Sequence, residues 1–385
     1  MSRCVVLDLL GISREAFLRS IELHQPFVGE YSADICDLDF NRFVEVVSAS
    51  VFAVDFIKTT SGDLPQAPPL TNGIIDTHSL WAKYAAGHTI VVNAMERFDI
   101  QLAHISRLIA LSLGYRINVN AYLTPPSSCG FPTHFDTHDV VLIQMHGRKS
   151  WVIYQRPLGV PELPIARNYN VDVESLQKEV QLEKTLHLGQ SMYIPRGHPH
   201  RAETEHGASS LHLTFGLTPV TPTDILRIAV DLMSNTEVSF RQHLTHDLFS
   251  ANPDGTEEAL LGLLRNVGKD NAAFRDALAA TRRSILGNLP PQLRPLFSDD
   301  KDHVAQVQRV DWRSDVYFET ELISANRTLF KTPNKVVAFS LAQMKVVEVI
   351  RQRKSITTAE LDHLGHSKWP GVIESLSLVG LVSVF

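Results

Sequence analysis

The stretch Gly130-Phe-Pro-Thr-His-Phe-Asp-Thr-His-Asp-Val-Val-Leu-Ile-Gln144 decides how this chain is read. Taken as a β-strand, it sends alternate side chains to one face. His134, Asp136 and His138 then point the same way, and the apolar run that follows enters a core. A histidine and a carboxylate two residues apart on one face make two corners of a metal site. Tyr193-Ile-Pro-Arg-Gly-His-Pro-His200 offers a third: a strand running into a Pro/Gly turn that ends in histidine, 66 residues downstream of His134. That separation lets the strands of a small barrel bring the chain back to its mouth. Two histidines and one carboxylate on a triangular face leave coordination positions open. Non-haem Fe(II) enzymes need such positions to admit a bidentate cosubstrate and O2. Structural zinc would call for four protein ligands, preferably thiolates. His198 and His212 are alternatives for the third ligand, with register favouring His200, and His138 is read as facing substrate or backing the ligands.

Around this stretch the pattern is that of short strands. Arg116-Ile-Asn-Val-Asn-Ala-Tyr-Leu123 alternates polar and apolar residues, the signature of a half-buried strand. Val140–Met145 and Ser150–Tyr154 are β-branched or aromatic, with Gly147 read as the turn between them. Ser191–Ile194 and Ser210–Leu217 complete a series punctuated by Gly and Pro, which indicates a sandwich or barrel. Upstream, helical spacing recurs at Ser13–Leu23 (Ser13 as N-cap), Phe40–Val54 and Ile100–Leu113, the last closed by Gly114. Downstream, Thr221-Pro-Thr-Asp224 opens a helical segment that runs through Leu286 to Pro290-Pro291. From Val304, helices at Ser340–Gln352, Thr357 (a capping box with Glu360) and Trp369 precede a terminal strand, Leu381–Phe385, in the manner of a winged helix.

Composition narrows the function classes. The 385 residues carry a net charge of −6, so the basic footprint of a nucleic-acid binder is missing and nucleic acid is not expected as a partner. Cys4, Cys36 and Cys129 are too few and too scattered for a disulfide framework or a zinc-thiolate site. The first ten residues are read as folded structure because Asp8 interrupts them, and no run is long enough to span a bilayer. The expectation is a reduced, cytoplasmic protein without a membrane partner.

Five blocks occur in order: Asn120-Ala-Tyr-Leu-Thr-Pro-Pro-Ser-Ser-Cys-Gly-Phe131, His134-Phe-Asp136, Gly147-Arg-Lys-Ser-Trp151, Tyr193–His200 and Ser210-Leu-His-Leu-Thr-Phe215. Together they resemble the JmjC ribosomal oxygenases, which are 2-oxoglutarate-dependent protein hydroxylases. The resemblance is strongest over about residues 75–217. It implies a mainly β core with α elements: a double-stranded β-helix (cupin, jelly-roll) JmjC domain over 1–220, a helical dimerisation domain over 221–303 and a winged-helix-like domain over 304–385. It also implies that His134, Asp136 and His200 are iron ligands and that Lys149 grips the distal carboxylate of 2-oxoglutarate. Asn120, Tyr122 and Thr214 would lie near the cosubstrate. Fe(II), 2-oxoglutarate and O2 follow as cofactors, a protein or peptide as substrate and a second copy as dimer partner. Tailoring of a peptide natural product and a non-catalytic metal-binding cupin are the competing roles. The chain departs from the eukaryotic members at Gly216, where a small polar residue is expected, and at His138-Asp139, which looks like the bacterial arginine-hydroxylating branch.

Overall fold

A computed structural model of the chain describes residues 10–31, 38–49, 55–62, 65–156, 179–242, 254–269, 271–287, 309–312, 318–324, 327–331, 336–363, 369–378 and 381–384. The chain divides into two compact units, Met1–Pro219 and Val220–Phe385.

The first unit is built on antiparallel strands: β1 (Phe27–Glu30), β2 (Ile57–Thr60), β3 (Leu70–Thr71), β4 (Ile74–Ile75), β5 (Thr89–Val92) and β6 (Arg116–Thr124). They continue as β7 (Asp139–Tyr154), β8 (Val180–His187), β9 (Gln190–Ile194), β10 (His200–Glu203) and β11 (Ser210–Thr218). The main path runs β1-β9-β7-β11-β6-β5-β2, with β8 and β10 also paired to β7, while β3 and β4 form a separate hairpin. β7 therefore serves two sets of neighbours. Its first part pairs with β9 and β11, and its second part with β8 and β10.

The alternation in β6 is realised in packing. Ile117, Val119, Ala121 and Leu123 are buried to 6% exposure or less on one face, leaving Asn118, Asn120 and Tyr122 on the other. β11 does the same, with Leu211, Leu213, Phe215 and Leu217 fully buried on the face opposite to His212 and Thr214. The helix Ile100–Leu113 lies against β6. It is capped by the Asp99 carboxylate, which accepts from the Gln101 and Leu102 amides, and it ends at Gly114 in the left-handed region.

β7 corrects the sequence reading. Gly147 is not a turn between two strands, because β7 runs unbroken for 16 residues. Instead the pairing slips: Leu211 opposes His146 while His212 opposes Gln144, leaving Met145 bulged. One extra residue reverses the side-chain parity of everything beyond it. Val140 and Leu142 before the bulge thus share a face with Trp151 and Ile153 after it, in one buried cluster with Met192 and Ile194. Gly147 itself has φ +63°, and a Cβ there would lie 1.9 Å from the Ser209 carbonyl oxygen. Only glycine fits this close approach.

Helices and strands of the second unit follow their caps. Thr221 and Asp224 form a reciprocal capping box at the start of Pro222–Thr236, which packs with Asp254–Lys269 and Asn271–Gly287 around Ala229, Met233, Val267, Ala273 and Ala277. Further on are β12 (Arg309–Trp312), β13 (Glu319–Ser324), β14 (Arg327–Lys331), β15 (Val336–Ser340), β16 (Ser355–Thr357) and β17 (Val382–Val384), in sheets β16-β12-β17 and β13-β14-β15. The helices Leu341–Arg353, Thr358–His363 and Trp369–Leu378 agree with the sequence reading, but β12 to β15 were not expected. Glu319-Thr-Glu-Leu-Ile-Ser324 is too polar to announce a strand; Phe330 and Phe339, fully buried, hold that sheet to its core. Of the helix read over Phe40–Val54, the part to Ala49 is present. Residues 50–54, the first nine residues and Pro290-Pro291 lie outside the described residues. Among the described residues no helix is long and apolar enough to cross a membrane.

Candidate functional site

The inner faces of β6, β7 and β11 enclose a cavity of about 240 Å³. Its lining includes the three expected metal ligands and the four expected cosubstrate residues: His134, Asp136 and His200, with Asn120, Tyr122, Lys149 and Thr214. His138, Trp151 and His212 line it as well.

His134, Asp136 and His200 each offer one ligand atom, and these atoms lie within 4.8 Å of one another. The local structure differs from the expected strand. His134 forms an isolated bridge with His200, with the His134 amide donating to the His200 carbonyl at 3.2 Å and the reverse bond at 2.8 Å. Asp136 lies in an irregular segment whose carbonyl accepts from the Gly197 amide at 2.8 Å. Backbone pairing across the barrel mouth therefore sets the triad, not alternation along one strand. At the base of the turn Asp139 accepts from the Arg196 amide at 3.1 Å, with the Arg196 Nε 3.9 Å away.

Hydrogen bonds settle which ring nitrogens face inward. His134 Nδ1 lies 2.9 Å from the Pro132 carbonyl, and His200 Nδ1 lies 3.0 Å from the His198 carbonyl. A carbonyl only accepts, so each Nδ1 carries a proton, and in the neutral ring the Nε2 is the nitrogen with the free lone pair. His200 Nε2 lies 3.7 Å from Asp136 Oδ2. Burial and the neighbouring His134 push the His200 pKa down to about 4, which keeps the ring neutral. Burial opposes the Asp136 charge, but His200, His138 and His134 outweigh it and hold the carboxyl below its usual range. Two imidazoles, each tied through Nδ1 to a carbonyl, and one carboxylate on one face fit a divalent transition metal that keeps open positions.

His198 and His212, the alternative third ligands, fall outside this group. His198 is turned to the Tyr154 carbonyl at 3.2 Å. His212 stacks on Tyr122, with centroids 4.8 Å apart and planes 6° apart.

Lys149 occupies the other region of the cavity. It is 3% exposed, its ammonium donates to Thr124 Oγ1 at 2.9 Å, and no carboxylate among the described residues pairs with it. Burial pulls its pKa down to about 7. A buried lysine with no acid beside it is costly unless an anionic ligand supplies the partner. The bulge in β7 is what turns it inward. Thr124, the lysine's partner, was not picked out from the sequence; it extends the Asn120–Tyr122 face by one more step of two, the signal that marks it. Asn120 accepts from the Ala94 amide at 3.2 Å and donates to the Tyr122 hydroxyl at 3.4 Å. Burial raises the Tyr122 pKa to about 12, so the phenol stays protonated. His138 lies against Gly216: a Cβ at 216 would stand 2.9 Å from its Cδ2 and Nε2 and 2.6 Å from Asn118 Oδ1.

Comparison with known proteins fits this geometry. Residues 92–225 match the JmjC domain family model, so the chain carries a JmjC domain on a cupin-type β core. It is 32% identical over 139 residues to the bifunctional lysine-specific demethylase and histidyl-hydroxylase NO66 of Drosophila melanogaster, covering 36% of this chain and 21% of that protein. Over 172 residues it is 31% identical to human ribosomal oxygenase 1, covering 43% and 27%. The chain thus spans about a quarter of the length of these curated relatives. In fold it matches the Escherichia coli ribosomal oxygenase YcfD, at TM-score 0.58 and 14% identity over 96% of this chain and 98% of that one. A further YcfD structure, described as a complex with cobalt and 2-oxoglutarate, matches at TM-score 0.55 and 15% identity, over 96% and 98%.

Proposed function

We propose that this chain is an Fe(II)- and 2-oxoglutarate-dependent oxygenase that hydroxylates an amino-acid side chain of a protein, the class to which its ribosomal-oxygenase relatives belong. One observation carries the reading: a single cavity brings together the His134–Asp136–His200 group and a buried lysine that no acid among the described residues pairs with. Iron alone would need only the first, and the second calls for a dianionic cosubstrate.

His134 Nε2, His200 Nε2 and an Asp136 oxygen would hold the iron. When bound together, Fe(II) and 2-oxoglutarate activate O2 for C–H hydroxylation, with the cosubstrate leaving as succinate and CO2. The chain's own residues position and shield. Lys149 neutralises the distal carboxylate of the cosubstrate, and Thr124 fixes the ammonium from behind. Asn120, anchored on the Ala94 amide, orients the Tyr122 hydroxyl, and Thr214 stands opposite Asn120 in the β6–β11 register. Val140, Leu142, Trp151 and Ala202 make apolar wall that excludes water, which strengthens each charge contact inside. Asp139, through Arg196, braces the turn that carries His200.

Anaerobic titration of the Fe(II)-loaded protein with 2-oxoglutarate should develop the weak metal-to-ligand absorption band of a chelated keto acid. No band in the wild type, or an unchanged band in His134→Ala, would sink the reading.

The layout of the second unit supports a helical domain followed by a winged-helix-like one, since residues 229–277 and 310–382 supply separate buried clusters. Exposed Leu226, Leu260, Leu261, Leu264 and Leu278 on the helical part support a homodimer. A monomeric mass in light scattering would rule that assembly out.

A further inference from the structure

We propose that His212 is a positioning residue for 2-oxoglutarate: a neutral imidazole that hydrogen-bonds the cosubstrate carboxylate beside Lys149. This rests on the function proposed above and adds to it a residue not counted among the cosubstrate contacts.

Three observations carry the assignment. First, His212 lines the same cavity as Lys149 and Thr214, from the inner face of β11. Second, the ring is only 3% exposed, and its Nδ1 is buried without a hydrogen-bond partner among the described residues. A buried polar atom left unpaired costs free energy, and such orphans mark ligand sites when they border a cavity. Third, the ring is held in place, stacked on Tyr122 and met edge-on by Trp151 with centroids 5.3 Å apart. Trp151 Nε1 is likewise buried and unpartnered, and the Lys149 ammonium lies 5.8 Å from the centre of the Trp151 ring. His212 and Trp151, which line the cavity with Lys149, thus each carry an unpartnered ring nitrogen, and no carboxylate among the described residues answers them.

The chemistry suits a neutral donor. Burial, with the Lys149 charge beside it, keeps His212 uncharged. A second cation next to Lys149 would work against the charge of the lysine, whereas a neutral N–H supplies directionality without that repulsion. Rings fixed on two sides lose little freedom when they bind, so the contact is pre-organised. The bland alternative is that His212 is only an aromatic packing element between Tyr122 and Trp151. Phenylalanine would fill that role equally well, and the test turns on this difference.

The affinity of the Fe(II)-loaded full chain for 2-oxoglutarate, measured anaerobically by calorimetry, is compared for wild type, Lys149→Ala, His212→Phe and His212→Asn. His212→Phe keeps the ring and removes the nitrogens, and should weaken binding by about 10-fold to 100-fold, the weight of a hydrogen bond to a charged group. His212→Asn returns an N–H near the Nδ1 position and should recover part of the loss. A second measurement needs no variant: the ¹⁵N signals of His212 in the zinc-loaded wild type, in which the metal is diamagnetic, should shift when 2-oxoglutarate is added. His212→Phe binding like wild type, or His212 signals unmoved at saturation, would overturn the assignment. If His212→Phe does not fold, the ¹⁵N measurement decides alone. The two readings fail differently. A wild type that does not bind 2-oxoglutarate removes the proposed function as well. A wild type that binds, with Lys149→Ala defective and His212→Phe normal, removes only the role of His212.

Discussion

Replacing Lys149 with methionine should raise the stability of the metal-free protein while destroying its affinity for 2-oxoglutarate. Methionine matches the lysine in length and leaves the Thr124 hydroxyl paired, because Thr89 Oγ1 lies 3.1 Å from it. The magnitude follows from linkage. Burial takes the Lys149 pKa from 10.5 to about 7, so the folded state resists a proton that the unfolded chain holds. At about 1.4 kcal/mol per pH unit the full penalty is about 5 kcal/mol, and relaxation around the ammonium brings a realistic figure to roughly 3 kcal/mol. The sign is that of a depressed lysine. The penalty is complete below pH 7, fades as pH rises between 7 and 10.5, and is gone above that range. Thermal unfolding of wild type and Lys149→Met at pH 7 and at pH 9.5 tests this. The variant should melt roughly 6–12 °C higher at pH 7, and its advantage should fall to about 1.4 kcal/mol at pH 9.5. A variant that melts lower, or a gain equal at both pH values, would refute the picture of an unpaired buried lysine. Saturating 2-oxoglutarate should narrow the difference by stabilising only the wild type.

Three other perturbations bear on the same site. Gly147→Ala sets a methyl group 1.9 Å from the Ser209 carbonyl at a positive φ; about 2–4 kcal/mol should be lost in urea unfolding, and an unchanged midpoint would show that the bulge yields easily. Gly216→Ala drives a Cβ into His138 and Asn118 Oδ1; substrate turnover should fall, while 2-oxoglutarate affinity changes less than threefold. Adding His138→Ala should relieve part of the crowding, and a double variant no better than the single would place the clash elsewhere. Asp139→Ala removes the acceptor for the Arg196 amide and leaves that arginine unpaired. Metal affinity, read by cobalt(II) absorption, should drop by about 10-fold to 100-fold; unaltered affinity would show that the turn carrying His200 needs no brace.

Much of the site was legible in the sequence because it depends on period and spacing. Asn118, Asn120 and Tyr122 share a face for no reason beyond the two-residue repeat of a strand, and β11 presents His212 and Thr214 in the same way. Helix ends were legible too, since Ser13, Thr221 and Gly114 act through bonds only a few residues long. His134, Asp136 and His200 converge although the local premise behind their selection fails: residues 134–136 do not form a regular strand, and the backbone bridge from His134 to His200 brings the three together. Lys149 shows most sharply what tertiary structure alone decided. In a regular strand its odd number would set it on the face opposite to Val140 and Leu142. The bulge at Met145 reverses the parity, and that bulge exists because β11 pairs across it and the Ser209 carbonyl presses against Gly147. Local sequence fixes which side chains alternate. Whether an alternation is broken, and so which way a lysine turns, is decided by the strand lying beside it.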